Sequence, residues 1–170
     1  AAPPLSESPK VKYLLQKLLP RIPEDEKVVV TCHHGHLLRA VVAALTEAGV
    51  PLCSVRAGRS TEWADQIRAF QESPASRLRV MVLTTQLNGV GITLTRANHL
   101  VLMEPASLPP GVKEKAVAHL RRACQTRPVH VYTLAMKDTL DTRLLEVDKL
   151  HLGRVQRQEF LLTGAGHAMT

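Results

Sequence analysis

Three stretches of the chain hold groups that could do chemistry. TCHHGH, residues 31–36, combines a thiol with three imidazoles. TTQLNGVGITLT, residues 84–95, mixes hydroxyl side chains with glycines, and HLRRACQTR, residues 119–127, contains the densest group of arginines. These patterns point to three different chemistries, which are metal ligation, phosphate binding by backbone N–H groups, and neutralisation of anionic charge.

The first stretch has the residue types of a zinc site but not its spacing. Structural zinc needs four ligands, usually supplied as two pairs, and no second pair follows Cys32, His33, His34 and His36 at zinc-finger spacing. We therefore expect no bound metal. An alternative role for His34, at the start of a predicted helix, is contact with a DNA phosphate, because free N–H groups at a helix N-terminus attract anions.

The hydrophobic pattern alternates between runs typical of strands and stripes typical of helices. Strands are predicted over residues 28–31, 52–55, 79–84, 99–103 and 129–134. Helices are predicted over residues 11–18, 34–48, 62–70, 112–123 and 139–150. In the third helix, Trp63, Ile67 and Phe70 form the buried face, and Ser60 or Thr61 is the predicted N-cap. Strand alternating with helix predicts an α/β domain with a parallel sheet covered on both faces.

Ligands of such sheets bind beyond the carboxyl ends of the strands. Three of the four loops that follow the first four strands are rich in glycine or hydroxyl side chains, a composition that suits phosphate but also occurs in plain turns. We expect the phosphate-binding turns to meet at one edge of the sheet.

Composition narrows the class of protein further. The 170 residues leave room for one domain, and 45% apolar with 22% charged residues is ordinary for a globular chain. Aromatic residues are only 3%, which argues against a module that stacks bases on a sheet. The net charge of +7 favours a polyanionic partner, although a basic protein without one is the alternative. No apolar run is long enough to span a bilayer, and no membrane partner is expected.

The three cysteines, Cys32, Cys53 and Cys124, are widely spaced and odd in number. This excludes a disulfide framework and favours a reducing compartment. We expect them to be small, buried or half-buried side chains rather than nucleophiles.

The order of the loops resembles the second RecA-like lobe of the Swi/Snf-type DNA translocases, from residue 8 to about residue 147. LTTQLNGVGITLT, residues 83–95, resembles the fifth motif of that family, and LMEP, residues 102–105, resembles the strand and turn that follow it. KAVAHLRRACQTRPV, residues 115–129, resembles the sixth motif. The resemblance implies a RecA-like three-layer αβα domain with a mainly parallel sheet of five or more strands, extending over residues 9–150. It would follow an extended entry segment, residues 1–8, and precede a tail or short helix, residues 151–170.

In that family, ATP with Mg²⁺ lies between two lobes, and the second lobe supplies arginines that reach the phosphates. The resemblance therefore implies an N-terminal ATPase lobe as partner, since no phosphate-loop signature is present in this sequence. Arg122 is the implied catalytic residue. The implied nucleotide-binding residues are Gly91, His119, Arg122 and Gln125. Gln125 alternatively caps a helix, and Arg122 alternatively lies on a solvated helix surface.

The resemblance further implies contacts to the backbone of double-stranded DNA, made by hydroxyls and backbone N–H groups without base readout. The candidate residues are His34, Arg59, Ser60, Thr84, Thr85 and Gly89. A nuclear location is implied by the family alone.

The motifs also depart from the family pattern. Of the two arginines expected in the sixth motif, the first position holds His119, and Cys124 replaces the glycine before Gln125. An unperturbed imidazole is mostly neutral at neutral pH, and a lost phosphate-reaching arginine is worth about 10³-fold or more in turnover. These departures favour an alternative, a non-catalytic relative that retains the fold for DNA binding or protein docking.

Overall fold

The computed structural model describes residues 8–56, 62–89, 91–104 and 111–143, together with the backbone of two strands near the C-terminus. Helix α1 (Pro9–Tyr13) continues into a π-helical turn (Leu14–Leu18) and a 3-10 turn (Leu19–Arg21). The other helices are α2 (Gly35–Glu47), α3 (Glu62–Glu72) and α4 (Val112–Leu120), and a further helix begins at Leu140. The strands are β1 (Lys27–Cys32), β2 (Leu52–Val55), β3 (Val80–Thr84), β4 (Ala97–Leu102), β5 (His130–Met136), β6 (Arg157–Leu162) and β7 (Ala168–Met169).

The strands form one sheet in the order β2-β3-β1-β4-β5-β6-β7. Strands β1 to β6 are parallel to their neighbours, and β7 pairs with β6 in the antiparallel direction. This confirms the predicted α/β fold with a mainly parallel sheet. All six residues of β1 are buried, as expected for a central strand with helices on both sides.

Two aliphatic cores lie on opposite faces of the sheet. On one face, the segment from α1 through the 3-10 turn packs with α2 against alternate residues of the strands, such as Val28 and Val30 of β1. On the other face, α3 and α4 pack against the intervening residues, such as Val29. Phe70 of α3 is fully buried there, and Trp63 is half-buried at the margin of the same core. The alternation along β1 therefore produces the three layers.

The boundaries of several elements differ from the predictions. The first helix, predicted over residues 11–18, begins earlier, at Pro9, and continues as a π-helical turn from Leu14. A 3-10 turn that accommodates Pro20 near its start then follows. Helix α2 ends as predicted before Gly49, whose φ of 70° favours glycine. Helix α4 ends at Leu120, three residues earlier than predicted, because the Gln125 amide donates to the Leu120 carbonyl at 3.1 Å and takes over its capping. The predicted cap of α3, Ser60 or Thr61, lies outside the described residues.

The tail contains strand rather than the short helix considered from the sequence. The backbone of β6 pairs with β5 over residues 157–162, and β7 then pairs with β6. A strand at the edge of a sheet has unpaired N–H and C=O groups, and β6 satisfies those of β5. The predicted domain boundaries stay predictions. No helix in the described residues is long and apolar enough to cross a membrane.

A half-buried ion pair joins α1 to the helix after β5. The Lys10 ammonium lies 2.6 Å from the Asp141 carboxylate, with side chains only 12% and 18% exposed. Lys10 also donates to the Met103 carbonyl at 2.9 Å, and Asp141 accepts the Met136 N–H at 3.1 Å. One carboxylate therefore connects α1, the end of β5 and, through Lys10, the residue that follows β4.

Asp141→Ala should lower the free energy of unfolding by about 2 to 3 kcal/mol, because it leaves a largely buried ammonium without its counter-charge. Urea denaturation measures the change. Asp65→Ala is the matched control, since Asp65 pairs with Arg68 on the exposed surface, where both side chains are more than two-thirds exposed. The control should change stability by less than about 0.5 kcal/mol. Equal losses in the two variants would contradict the structural role of Asp141.

Candidate functional site

The loops after β1 and β4 meet at the carboxyl edge of the sheet. The backbone N–H groups of His33 and His34 donate to one oxygen of Glu104 at 2.7 and 3.1 Å. The His34 ring pairs with the other oxygen at 2.5 Å through Nδ1. The Glu104 side chain is 15% exposed, whereas that of His34 is 47% exposed.

Glu104 therefore occupies the position at the start of α2 where an anion was expected. His34 is the N-cap residue of α2, and free N–H groups at such a terminus attract negative charge. Here an internal carboxylate accepts one of them, from His34, together with the N–H of the preceding residue His33, so a DNA phosphate would have to compete with it. An outside ligand can still contact the exposed part of the His34 ring.

The two threonines at the end of β3 are less accessible than the sequence suggested. Thr84 and Thr85 are each 5% exposed. The Thr85 hydroxyl hydrogen-bonds His33 Nδ1 at 2.9 Å, which ties the loop after β3 to the loop after β1. Gly91 is exposed, and a Cβ built there would meet nothing within 4 Å. Gly89 ends the 3-10 turn that begins at Thr85.

Not every predicted DNA-binding residue can be placed. Arg59 and Ser60 lie outside the described residues. Sequence reasoning did not select Arg56, which is exposed and directly follows β2 at the same carboxyl edge. Its position immediately after a predicted strand was the signal available for it. His33, also not selected, connects two loops of this edge through its backbone and its ring.

His119 is buried, with 5% of its surface exposed. Its Nδ1–H donates to the Ile92 carbonyl at 2.8 Å, which leaves Nε2 as the unprotonated nitrogen of the neutral ring. Nε2 is buried and has no hydrogen-bond partner among the described residues. Burial lowers the pKa of His119 below its ordinary value; the hydrogen bond to Ile92 opposes this shift, and the positive charge of Arg122 adds to it. The ring is therefore neutral at neutral pH.

Arg122 and Gln125 differ sharply in their surroundings. Arg122 is exposed, and its guanidinium has no hydrogen bond or ion pair within the described part of the chain. The amide of Gln125 donates to the carbonyls of Ala97 and Leu120 at 2.8 and 3.1 Å, and its oxygen accepts the Arg127 N–H at 3.1 Å. Gln125 caps α4 and fixes the following loop, and a contact with nucleotide stays a prediction.

The candidate residues do not share one edge of the sheet, which corrects the expectation of a single edge. Helix α4 crosses from the end of β4 back towards the start of β5, so the loop after it lies at the amino edge. Gln125 contacts Ala97, the first residue of β4, and confirms this position. At about 3.3 Å per residue, a six-residue strand separates the two edges by about 17 to 20 Å. His34, Thr84 and Thr85 therefore lie far from Arg122 and Gln125.

Among the described residues, no group of three or more His, Cys, Asp or Glu side chains is arranged to hold a metal ion. Cys32 is fully buried, and its burial raises the pKa of the thiol far above its ordinary value. His33 and His34 are instead engaged by Thr85 and Glu104.

The chain is similar in sequence to several curated proteins. It is 30% identical over 135 residues to the ATP-dependent DNA helicase DDM1 of Arabidopsis thaliana, an alignment that covers 78% of this chain and 17% of that protein. It is 26% identical over 140 residues to Protein CHROMATIN REMODELING 24 of the same plant, covering 82% of this chain and 13% of the relative. The SNF2 domain-containing protein ENL1 of Oryza sativa subsp. japonica is 24% identical over 139 residues, with coverages of 81% and 14%. The chain thus spans less than a fifth of these relatives.

A solved structure shares the fold. The C-terminal part of the Fun30 ATPase domain matches with a TM-score of 0.75 and 24% sequence identity, covering 84% of this chain and 46% of that one. No family model matches the chain.

The buried neutral state of His119 makes stability depend on pH. Because the folded-state pKa is lowered, the unfolded chain binds a proton more readily, so this contribution is full above the ordinary pKa of 6.5 and is lost as pH falls below it. Acidification from about pH 7.5 to about pH 5.5 should lower the free energy of unfolding. His119→Asn keeps a donor for the Ile92 carbonyl but has no ionisable ring, so it should lose less stability on acidification. Urea denaturation at both pH values measures the difference. An equal loss of stability in the variant would show that His119 does not cause the pH dependence.

Proposed function

The chain is a homologue of the Swi/Snf-family helicases with the fold of a C-terminal RecA-like lobe, and from this we propose that it is the second ATPase lobe of a translocase acting on double-stranded DNA. In this function it binds ATP, together with Mg²⁺, in a cleft completed by an N-terminal lobe. The chain itself supplies no phosphate-loop signature. A nuclear role in chromatin or DNA repair is part of the same proposal.

The observation that supports a nucleotide role most directly is the state of Arg122. Its guanidinium is exposed and without a described partner, while Gln125 anchors the loop that carries it. An arginine that reaches the phosphates across a cleft needs a fixed backbone and a guanidinium with no other partner. Its charge can then act on the developing transition state without first breaking an ion pair. We assign Arg122 this role.

DNA contact belongs to the carboxyl edge in this proposal. Exposed groups there include Arg56 and the ring of His34. Thr84 and Thr85 act from beneath this surface, since their side chains are buried. Arg59, Ser60 and Gly89 complete the proposed contact set. Contacts of this kind bind the sugar–phosphate backbone and not the bases, so affinity should depend on salt more than on sequence.

One observation favours the second candidate function, a non-catalytic module that binds DNA or docks another protein. His119 occupies the position of one of the two arginines of the family, and it is buried and neutral. It therefore provides no positive charge to a transferring phosphoryl group at neutral pH. A lobe with one arginine would hydrolyse ATP slowly or not at all while keeping its DNA-binding edge.

The ATPase role is tested in a protein that joins this chain to its first lobe. Arg122→Ala should reduce the DNA-stimulated rate of ATP hydrolysis by about 10³-fold or more, as expected when a phosphate-reaching arginine is removed. Arg121→Ala is the matched control, because Arg121 is the preceding residue and is equally exposed. Hydrolysis that is insensitive to both variants would contradict the assignment of Arg122. DNA binding with no hydrolysis in the unmodified protein would select the second candidate.

The DNA-binding edge is tested by fluorescence anisotropy with a duplex of arbitrary sequence over a salt series. Arg56→Ala should weaken binding and flatten the plot of log K against log salt by about one unit, the contribution of one phosphate contact. Arg68→Ala is the control, since Arg68 lies on α3 and is paired with Asp65 at 2.7 Å. An affinity that does not change with salt would exclude backbone recognition.

A further inference from the structure

A cavity of about 240 Å³ opens at the amino edge of the sheet, away from the proposed DNA-binding edge. We call it the amino-edge cavity. It lies between the residues before β1, the end of α3, the turn before β4 and the loop after α4. Its lining residues are Asp25, Lys27, Ala75, Thr95, Arg96, Cys124, Gln125, Thr126 and Arg127.

The walls of the amino-edge cavity are held by hydrogen bonds to the end of α3. Lys27 donates to the Phe70 carbonyl and lies 4.4 Å from the centroid of the Phe70 ring. The Gln71 side chain accepts the Arg96 N–H at 3.1 Å and contacts the Thr95 hydroxyl at 3.4 Å. On the opposite wall, Gln125 fixes the loop after α4. The cavity is therefore built from anchored backbone.

Positive charge in this cavity exceeds the negative charge that faces it. Lys27, Arg96 and Arg127 line it together with a single carboxylate, Asp25. Arg127 is 3.9 Å from Asp25, which is beyond hydrogen-bond distance. Glu26, also 3.9 Å from Arg127, does not line the cavity.

Glu26 is committed to other groups. Its carboxylate hydrogen-bonds the His99 ring and accepts a 3.0 Å hydrogen bond from the Asn98 amide. These partners are neutral at neutral pH, so Glu26 keeps its negative charge near Arg127. Counted with Asp25, it still leaves the three cations of the cavity in excess by one charge.

The Lys27 ammonium is buried in this cavity with most of its hydrogen-bonding capacity unused within the described part of the chain. Its side chain is 2% exposed, and of its three N–H donors only one has an acceptor among the described residues. Burial, and then repulsion from Arg96, lower the pKa of Lys27 to about 8. An anion placed among these groups would accept the remaining hydrogen bonds and offset the repulsion between the two cations.

We propose that the amino-edge cavity binds the phosphate group of a small molecule. Lys27, Arg96 and Arg127 provide the charge, and the hydroxyls of Thr95 and Thr126 provide neutral donors. The volume is below that of sites for drug-sized ligands, about 300 Å³ and upwards, and suits a phosphate or diphosphate group. Arg122 does not line the cavity, whereas Gln125, one of the predicted nucleotide-binding residues, does. The site therefore adjoins the phosphate contact assigned to Arg122 without including it.

A cysteine in the wall provides a local reporter of occupancy. Cys124 is exposed, with its sulfur 3.7 Å from the Thr95 hydroxyl. The other two cysteines of the chain, Cys32 and Cys53, are buried. Burial raises the pKa of the Cys53 thiol to about 11 and that of Cys32 further still, so neither forms thiolate at neutral pH. Thiol labelling of the folded chain therefore reports on Cys124.

The experiment measures the rate at which Cys124 of the purified chain reacts with a thiol reagent as pyrophosphate is added. Ionic strength is held constant with sodium chloride. Only the unoccupied cavity exposes the thiol fully, so the rate should fall by the factor 1 + [L]/Kd, which is about tenfold at about nine times Kd. Inorganic phosphate and AMP are tested in parallel. Stronger protection by AMP identifies a nucleotide as the source of the phosphate, equal protection identifies the free anion, and either result supports the site.

Two variants assign the effect to the cavity. Arg96→Ala should abolish the protection, measured against the labelling rate of the same variant without anion, and leave the circular dichroism spectrum unchanged, because the Arg96 side chain lies at the surface. Arg122→Ala should retain full protection, since Arg122 does not line the cavity. Protection that survives in Arg96→Ala, or that chloride reproduces at equal ionic strength, would overturn the proposal, as would no protection by any of the three anions. These outcomes do not depend on ATP hydrolysis, so they are separable from the test of the ATPase role.

Discussion

The complete burial of the central strand is the constraint on which both edges of this molecule depend. Every residue of β1 is buried, and the charged groups that contact this strand lie where it begins or ends. At the end of β1, the N–H groups of His33 and His34 donate to the Glu104 carboxylate. At the beginning of β1, the Lys27 ammonium donates to the Phe70 carbonyl near the end of α3. Both edges thus favour negative charge, but one already holds an internal carboxylate and the other concentrates cations.

The layered fold could be predicted from the sequence because it depends on periodicity, which is local. Strand β2 falls where its apolar run predicts it, and α2 ends where Gly49 predicts it. The premature end of α4 could not be predicted in the same way, since it depends on a side chain five residues beyond the helix that reaches across to β4. Likewise β4 begins at Ala97 rather than at residue 99, because its pairing with β1 starts at Lys27.

The candidate site was less predictable than the fold because its chemistry depends on contacts between residues far apart in sequence. Glu104 and His34 are separated by 70 positions, and their pairing decides how much of the α2 terminus an outside phosphate can use. The tautomer of His119 is set by the Ile92 carbonyl, 27 positions away. Residue type alone does not show which ring nitrogen carries the proton. Burial lowers the pKa of His119 against the opposing effect of the Ile92 hydrogen bond, so the ring is neutral with Nε2 unprotonated.

The single tryptophan of the chain gives α3 an intrinsic spectroscopic signal. Trp63 is half-buried at the margin of the core beneath α3, on the same helix whose last turns provide the carbonyl and amide groups that hold Lys27, Thr95 and Arg96. Indole emission shifts to longer wavelength as the ring becomes hydrated. Its wavelength therefore reports whether this helix is seated on the sheet, without any added dye.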